Sequence, residues 1–404
     1  MVSTRTNAHL MSLFQLTDTQ REIQTLARTF AARTLAPLAA ERDRESRFDQ
    51  EMVTQLAELG FFGMLIPEQY DGLGLDAVSY LLALEEIAVA DASAAVLLSV
   101  HNSLPTQMIL TYGSDAQKEQ FLGPMARGEL LGAFMLSEAE SGSDAGSLRC
   151  QAVRDGDDWV LTGTKAWVSH GSKAGVLLCM ARTDTPDDRR RSSGISTFIL
   201  TPDLPGFHVG KKEDKLGLRA SPTVQITLDG CRVPGDRLLG AEGKGLTYAL
   251  SSLDHGRLGI AAQAIGIARA ALESATRYAT ERKQFGKAIA EFQAIQFKIA
   301  DMATQITAAR TLLLTAAAAK ERGEQITRYS SMAKLFASET AMRVTTEAIQ
   351  ILGGYGYVTD YPVERYFRDA KVTEIYEGTS EIQRIVIARE TMAAAAVADG
   401  SLPD

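Results

Sequence analysis

Glu377 is the residue in this chain whose surroundings best suit it to chemistry. It stands in Thr373-Glu374-Ile375-Tyr376-Glu377-Gly378-Thr379-Ser380, close to the C-terminus. Apolar and aromatic neighbours strip water from a carboxylate, which raises its pKa and strengthens it as a base toward a weak carbon acid. The glycine that follows lets a ligand approach the backbone closely. The plain alternative is a loop glutamate that caps the next helix.

Other stretches carry groups suited to holding a ligand. The run Phe134-Met135-Leu136-Ser137-Glu138-Ala139-Glu140-Ser141-Gly142-Ser143 is turn-forming, and its small and hydroxyl residues can present backbone N–H groups together with Ser137 and Ser143. In Lys165-Ala166-Trp167-Val168-Ser169 the indole and the hydroxyl are two positions apart in a strand pattern, so both point the same way. Asp254 and Arg257 flank a glycine in Leu253-Asp254-His255-Gly256-Arg257, where His255 reads as a helix-face residue. The glycines of Gln350-Ile351-Leu352-Gly353-Gly354-Tyr355-Gly356-Tyr357 follow a helix. They are therefore not a dinucleotide fingerprint, which needs a preceding strand, and a helix C-cap explains them locally. The stretch Asp187-Asp188-Arg189-Arg190-Arg191-Ser192-Ser193 reads as a solvated charged loop, with an arginine–phosphate contact to a ligand as the alternative.

Three kinds of segment must position these groups. Residues 17–130 read as helical: Thr17 begins a capped helix that Pro37 interrupts or kinks, and further helices are expected over 50–59, 79–90 and 92–112. From Gly132 to about Leu239 short β-prone runs alternate with turn clusters, as in Val224, Ile226 and Leu228, and predict a compact β domain. Long alanine-rich helices follow over 246–280, 292–322 and 327–352, with a last one over 380–395, and favour a bundle. The expected fold class is α+β with boundaries at 1–130 (helical), 131–240 (β-barrel-like) and 241–404 (four-helix bundle).

In this order, and over roughly residues 16–395, the chain resembles the acyl-CoA dehydrogenase family. The resemblance implies FAD-dependent α,β-dehydrogenation of an acyl-CoA thioester to the trans-2-enoyl-CoA, with Glu377 removing the Cα proton while hydride leaves Cβ for the flavin. It also implies electron transfer to an electron-transferring flavoprotein. By this likeness the flavin is held by Phe134, Leu136, Ser137, Ser143, Trp167, Ser169, Thr379 and Glu381. Arg282, Phe285, Gln293, Gln350, Gly353 and Gly354 reach the adenosine diphosphate half on a neighbouring subunit. Ser143, Asp254, Arg257, Tyr376 and Gly378 line the substrate. Met135 departs from a usually small position, and Ala139 stands where relatives often have proline. Isovaleryl-CoA dehydrogenases place their base at the position of Gly256, so here Glu377 is the single candidate. Ala95 matches the position where glutaryl-CoA dehydrogenases carry an arginine, which argues against a dicarboxylic substrate. The motif pattern leans toward the short-chain and short-branched subgroup. An oxygen-using oxidase and a non-catalytic acyl-CoA- or flavin-binding assembly subunit are the competing readings.

Composition narrows the partners. The net charge of −8 argues against general binding to nucleic acid, which needs clustered positive charge, and leaves room for a local basic pocket for a phosphorylated ligand. Cys150, Cys179 and Cys231 are odd in number and lack metal-ligand spacing, so a reduced thiol state without a metal site is expected. No apolar run is long enough to span a bilayer, and the patch Leu10–Phe14 is too short for a signal-peptide core, so the expected compartment is the cytoplasm. The long alanine-rich helices expose more apolar face than one bundle can bury, which with the family likeness predicts a homotetramer built as a dimer of dimers.

Overall fold

The computed structural model describes residues 15–184 and 193–398, so the expectations for the first fourteen residues and for Arg189–Arg191 lie outside the described residues. Helices come first: α1 (Asp18–Phe30), α2 (Ala36–Glu45), α3 (Gln50–Glu58), α4 (Ala77–Ala90), α5 (Ala92–Ser103), α6 (Pro105–Tyr112) and α7 (Asp115–Ala126). Thr17 caps α1 with a full capping box to Gln20. Pro37 does not end the helix. A widened π turn at Ala31–Leu35 precedes it and absorbs the carbonyl that the ring would strike, so α1 and α2 run on. The helix expected over 92–112 is instead two, because Pro105 lacks an N–H and starts a new first turn after Leu104 leaves the helical region.

The β unit comprises β1 (Gly132–Met135), β2 (Gln151–Asp155), β3 (Asp158–Ser169), β4 (Val176–Arg182), β5 (Ile195–Leu200), β6 (Phe207–Lys212), β7 (Thr223–Val233) and β8 (Leu238–Leu239). They form one sheet in the order β6-β7-β3-β2-β4-β5-β8, with β1 parallel to β4. After it come α8 (Gly245–Glu281), the hairpin β9 (Lys283–Gln284) and β10 (Lys287–Ala288), α9 (Gln293–Glu321), α10 (Thr327–Leu352), α11 (Val363–Lys371) and α12 (Ser380–Ala398).

Small side chains let the two central helices of the bundle lie close. Ala261, Ala264, Ala268, Ala271 and Ala275 of α8 recur at three-to-four spacing and are fully buried, as are Ala333, Ala337, Ala341 and Ala348 of α10. A buried ion cluster ties the N-terminal helices to this pair. Glu85 of α4 takes Arg310 Nε of α9 at 2.9 Å, and Glu86 takes Arg28 of α1 at 2.8 Å, with Arg269 of α8 bonded to both carboxylates. Burial alone would push the Glu86 carboxyl up, but Arg269 and Arg28 outweigh it and hold it at about 2. No helix among the described residues is long and apolar enough to cross a membrane.

Candidate active site

Glu377 lies in the link between α11 and α12, in a left-handed conformation at φ 52°, and Gly378 continues at φ 90°. The residue as a whole is half-buried, but both carboxylate oxygens are buried and neither accepts a hydrogen bond. The helix-capping alternative fails here. The N-terminus of α12 is capped by Thr379, whose Oγ1 accepts the Ile382 N–H at 3.3 Å. Burial pushes the Glu377 carboxyl up to about 7, with Lys334 and then Arg257 pulling the other way. A carboxylate with a pKa in that range and unoccupied lone pairs has the chemistry of a general base.

Gly256 explains where that carboxylate can sit. A Cβ at position 256 would lie 2.0 Å from Glu377 Oε2, so the oxygens occupy the space that a side chain on α8 would fill. One turn on, a Cβ at Gly259 would lie 2.4 Å from Ser99 Oγ and 3.4 Å from the Tyr80 hydroxyl. Two glycines on one face thus cut a notch in α8, with the carboxylate and these two hydroxyls over it. Arg257 is buried, paired with Asp254 and bonded through Nη1 to Ser331 Oγ of α10 at 3.2 Å, while Thr327 Oγ1 donates to Asp254 Oδ2 at 2.6 Å. Burial raises the Asp254 carboxyl and lowers the Arg257 guanidinium. The Tyr376 hydroxyl donates to Gln263 Oε1, and Gln263 Nε2 is itself held by the Ala92 carbonyl at 3.0 Å, which fixes the ring beside the base. His255 is kept neutral, its pKa lowered by burial to about 4.

The β unit brings a second group together. Lys165 pairs with Ile226 and Val168 with Val224, so Ala166 and Trp167 oppose Gln225 alone, a β-bulge in which Trp167 takes φ 59°. The bulge shifts the phase of β3: Trp159, Leu161 and Lys165 face the interior before it, Ala166 and Val168 after it. Trp167 and Ser169 therefore turn outward, the indole 63% exposed. The strand-end loop is fastened to this bulge. Ala166 N–H donates to the Ser137 carbonyl at 2.9 Å, and buried Lys165 bonds the Leu136 carbonyl at 3.2 Å and Glu138 at 2.7 Å. Phe134 and Leu136 lie just before Ser137 on and beyond β1, whereas Ser143 is exposed in the loop that follows. The unusual Met135 is fully buried in the β core, on the side away from half-buried Phe134, so it leaves the loop's outer surface unchanged.

A third group collects where α8 and α10 end and α9 begins. Arg282 ends α8 with its guanidinium 5.6 Å above the Tyr355 ring. Phe285 and Gly286 form the two-residue tip of the β9–β10 hairpin at φ 52° and 83°, which leaves the Phe285 ring 94% exposed. Gln293 opens α9 and Gln350 lies near the end of α10, both exposed; Gly353 and Gly354 follow with open space where side chains would be. Lys334, beside Glu377, and Gln350 lie sixteen residues apart on α10, about 24 Å along the axis at about 1.5 Å per residue. Within one chain the third group therefore stands well away from the base.

An exposed indole beside hydroxyls, and an exposed arginine, aromatic ring and side-chain-free glycines elsewhere, fit the flat and the phosphate-bearing parts of a long cofactor. Lys334, Gln383, Tyr80, Ser99 and Gln263 belong to the site as well. Gln383 lies only six residues beyond Glu377, whereas Lys334, Tyr80, Ser99 and Gln263 are brought there by the packing of helices distant in sequence.

Comparison with known proteins gives the class and then the family. Three models match in succession: the acyl-CoA dehydrogenase N-terminal domain over residues 17–129, its middle domain over 133–231 and its C-terminal domain over 243–392. The short-chain specific acyl-CoA dehydrogenase of Mus musculus mitochondria is 48% identical over 93% of this chain and 90% of the mouse protein. The probable acyl-CoA dehydrogenase FadE25 of Mycobacterium tuberculosis is 47% identical over 93% of this chain and 96% of its own. Among solved structures, butyryl-CoA dehydrogenase of Megasphaera elsdenii superposes with a TM-score of 0.92 at 45% identity, covering 94% of this chain and 99% of that one. A chain from the structural study of the electron-transferring flavoprotein of Acidaminococcus fermentans gives 0.91 at 45% identity, covering 94% and 99%. The fold and site define an FAD-dependent oxidoreductase acting on acyl-CoA thioesters. This chain belongs to the acyl-CoA dehydrogenase family.

Proposed function

We propose that this enzyme dehydrogenates a short acyl-CoA between Cα and Cβ, with Glu377 as the catalytic base. The observation that carries the reading is the buried, unbonded Glu377 carboxylate seated against Gly256, with its pKa raised to about 7. FAD, held there, would supply the two-electron acceptor for the hydride leaving Cβ. Trp167, Ser169, Ser137, Phe134, Leu136, Thr379 and Glu381 would hold its flavin end. Arg282, Phe285, Gln293, Gln350, Gly353 and Gly354 of a neighbouring subunit would hold its diphosphate end. Glu377 receives the Cα proton. The Glu377 backbone N–H is the chain's own donor to the thioester oxygen, a role worth about 3 kcal/mol where such donors are removed in other enzymes. Tyr376 and Gly378 flank the thioester, Asp254 and Arg257 line the entry, and Ser143 reaches the ligand from the β unit.

A short tail is supported by Tyr80 and Ser99 standing over Gly259, one helical turn from the base. All twelve residues of α5, Ala95 among them, are buried, and none is Asp, Glu, Lys or Arg, so α5 offers no countercharge to a distal carboxylate. Two of the relatives carry names for short chains, the short-chain specific mouse enzyme and the Megasphaera butyryl-CoA dehydrogenase. Electrons pass on to an electron-transferring flavoprotein in this reading, and the three buried unpaired cysteines suit the reducing cytoplasm. Exposed Phe297, Phe336, Ile385 and Met392 on the C-terminal helices, with the distant diphosphate group, support a homotetramer. Light scattering of the flavin-loaded protein should give four chains per particle, and a monodisperse loaded monomer would refute it.

The deciding experiment is anaerobic stopped-flow reduction of the flavin by butyryl-CoA. Glu377→Gln should fold, keep FAD and bind the thioester yet lose reduction by orders of magnitude. Near wild-type reduction in this variant overturns the assignment. Steady peroxide formation with oxygen as the only acceptor would instead point to an oxidase.

A further inference from the structure

The turn that presents Glu377 is held by residues outside the three motif groups. Two successive left-handed residues are costly when the first carries a side chain, so something must fasten them. Lys334 of α10 is fully buried, and its Nζ donates to the Gly378 carbonyl at 2.7 Å. Gln383 of α12 is also fully buried, and its Nε2 donates to the Glu377 carbonyl at 3.1 Å and to the Gly378 carbonyl at 2.9 Å. The Gly378 carbonyl thus takes donors from both α10 and α12 and the Glu377 carbonyl takes one from α12, while Glu377 Oε1 and Oε2 accept nothing.

A buried ammonium beside a buried carboxylate would ordinarily bond to it and quench it as a base. Here the ammonium spends a hydrogen bond on the neighbouring carbonyl instead. We propose that Lys334 is a positioning residue for proton abstraction: it locks the left-handed turn through the Gly378 carbonyl and supplies a countercharge to Glu377 without occupying its lone pairs. The proposal rests on Glu377 being the base.

The charged and titratable groups that face Glu377 are few. Arg257 comes from α8, Lys334 from α10, Tyr80 from α4 and Tyr376 from the link itself; Lys334 also meets Glu374 and Glu381. Of these, Lys334 is the strongest influence favouring the ionised carboxylate, ahead of Arg257. Its own pKa is lowered to about 8, chiefly by burial, so it is charged over the range in which Glu377 titrates.

The test is the pH profile of flavin reduction by butyryl-CoA in the FAD-loaded enzyme, for wild type, Lys334→Met, Lys334→Gln and Glu377→Gln. Removing the ammonium should move the acid limb to higher pH by about one unit in both lysine variants, and lower the plateau rate about tenfold in the methionine variant. Lys334→Gln, which keeps a donor but no charge, should retain more of the plateau. A purely structural lysine would change flavin content or melting temperature and leave the limb in place. An unmoved limb in either loaded variant overturns the proposal. Should neither variant keep FAD, Lys334→Arg decides: with the charge retained its limb must match wild type, and a displaced limb overturns the proposal. Rapid reduction in Glu377→Gln would mark failure of the base assignment itself, whereas a dead Glu377→Gln with an unmoved lysine-variant limb would mark failure of the Lys334 role alone.

Discussion

Gly256→Ala separates catalysis from stability most sharply. A methyl on α8 at this position would come 2.0 Å from Glu377 Oε2, 2.8 Å from its Cδ and 3.1 Å from Oε1. Ordinary carbon–oxygen contact needs more than 3 Å, so the carboxylate must retreat by about 1 Å or more. The obstacle is the end of a flexible side chain, so the retreat costs little in folding free energy. Alanine in place of a mid-helix glycine returns about 1 kcal/mol of helix propensity. The variant should therefore melt at or above the wild-type temperature. Its catalytic cost is different, because a reacting group misplaced by about 1 Å loses about 100-fold in rate, or about 2.7 kcal/mol of barrier. Gly266→Ala is the contrast on the same helix. Its Cβ would meet the Glu85 carbonyl oxygen at 2.5 Å and the Val89 nitrogen at 3.1 Å, backbone atoms of α4 that cannot swing aside. That variant should lose about 1–3 kcal/mol of stability with flavin reduction per folded enzyme near normal. Paired thermal melts and anaerobic stopped-flow traces read both quantities. Full-speed reduction in Gly256→Ala would refute the placement of the working carboxylate against α8.

Two further outcomes are expected. Arg282→Ala should weaken FAD retention, seen as flavin lost on dilution and gel filtration, because a diphosphate partner supplied to the neighbouring chain is gone; full retention counts against the cross-subunit arrangement. Glu377→Gln should also reveal a pH-dependent gain in stability. The folded-state pKa of about 7 lies above the ordinary 4.5, so the wild-type carboxyl favours folding when protonated and loses that contribution as pH rises from 4.5 through 7. The neutral glutamine escapes this loss, so its melting temperature relative to wild type should climb between pH 5 and pH 8; a constant difference would mean that the carboxyl is not desolvated.

Much of the chain declared itself locally. The capping box of Thr17 and Gln20 and the alternation of Val224, Ile226 and Leu228 are short-range patterns, and the structure carries them as an element boundary and a buried face. Glu377 was legible for the same reason, since its apolar neighbours and the following glycine are adjacent in sequence. Tertiary structure decided the rest. A plain period of two predicts that Trp167 and Ser169 share a face, but which face depends on the bulge against Gln225, set by pairing with a strand some sixty residues away. The carboxylate owes its seat to Gly256 of α8 and its turn in part to Lys334 of α10, contacts made only when these helices pack against the link. Local free energies choose helices, strands and turns. The position of an unbonded buried carboxylate depends on which side chains are missing and which donors are spent elsewhere, and those are properties of the packed chain alone.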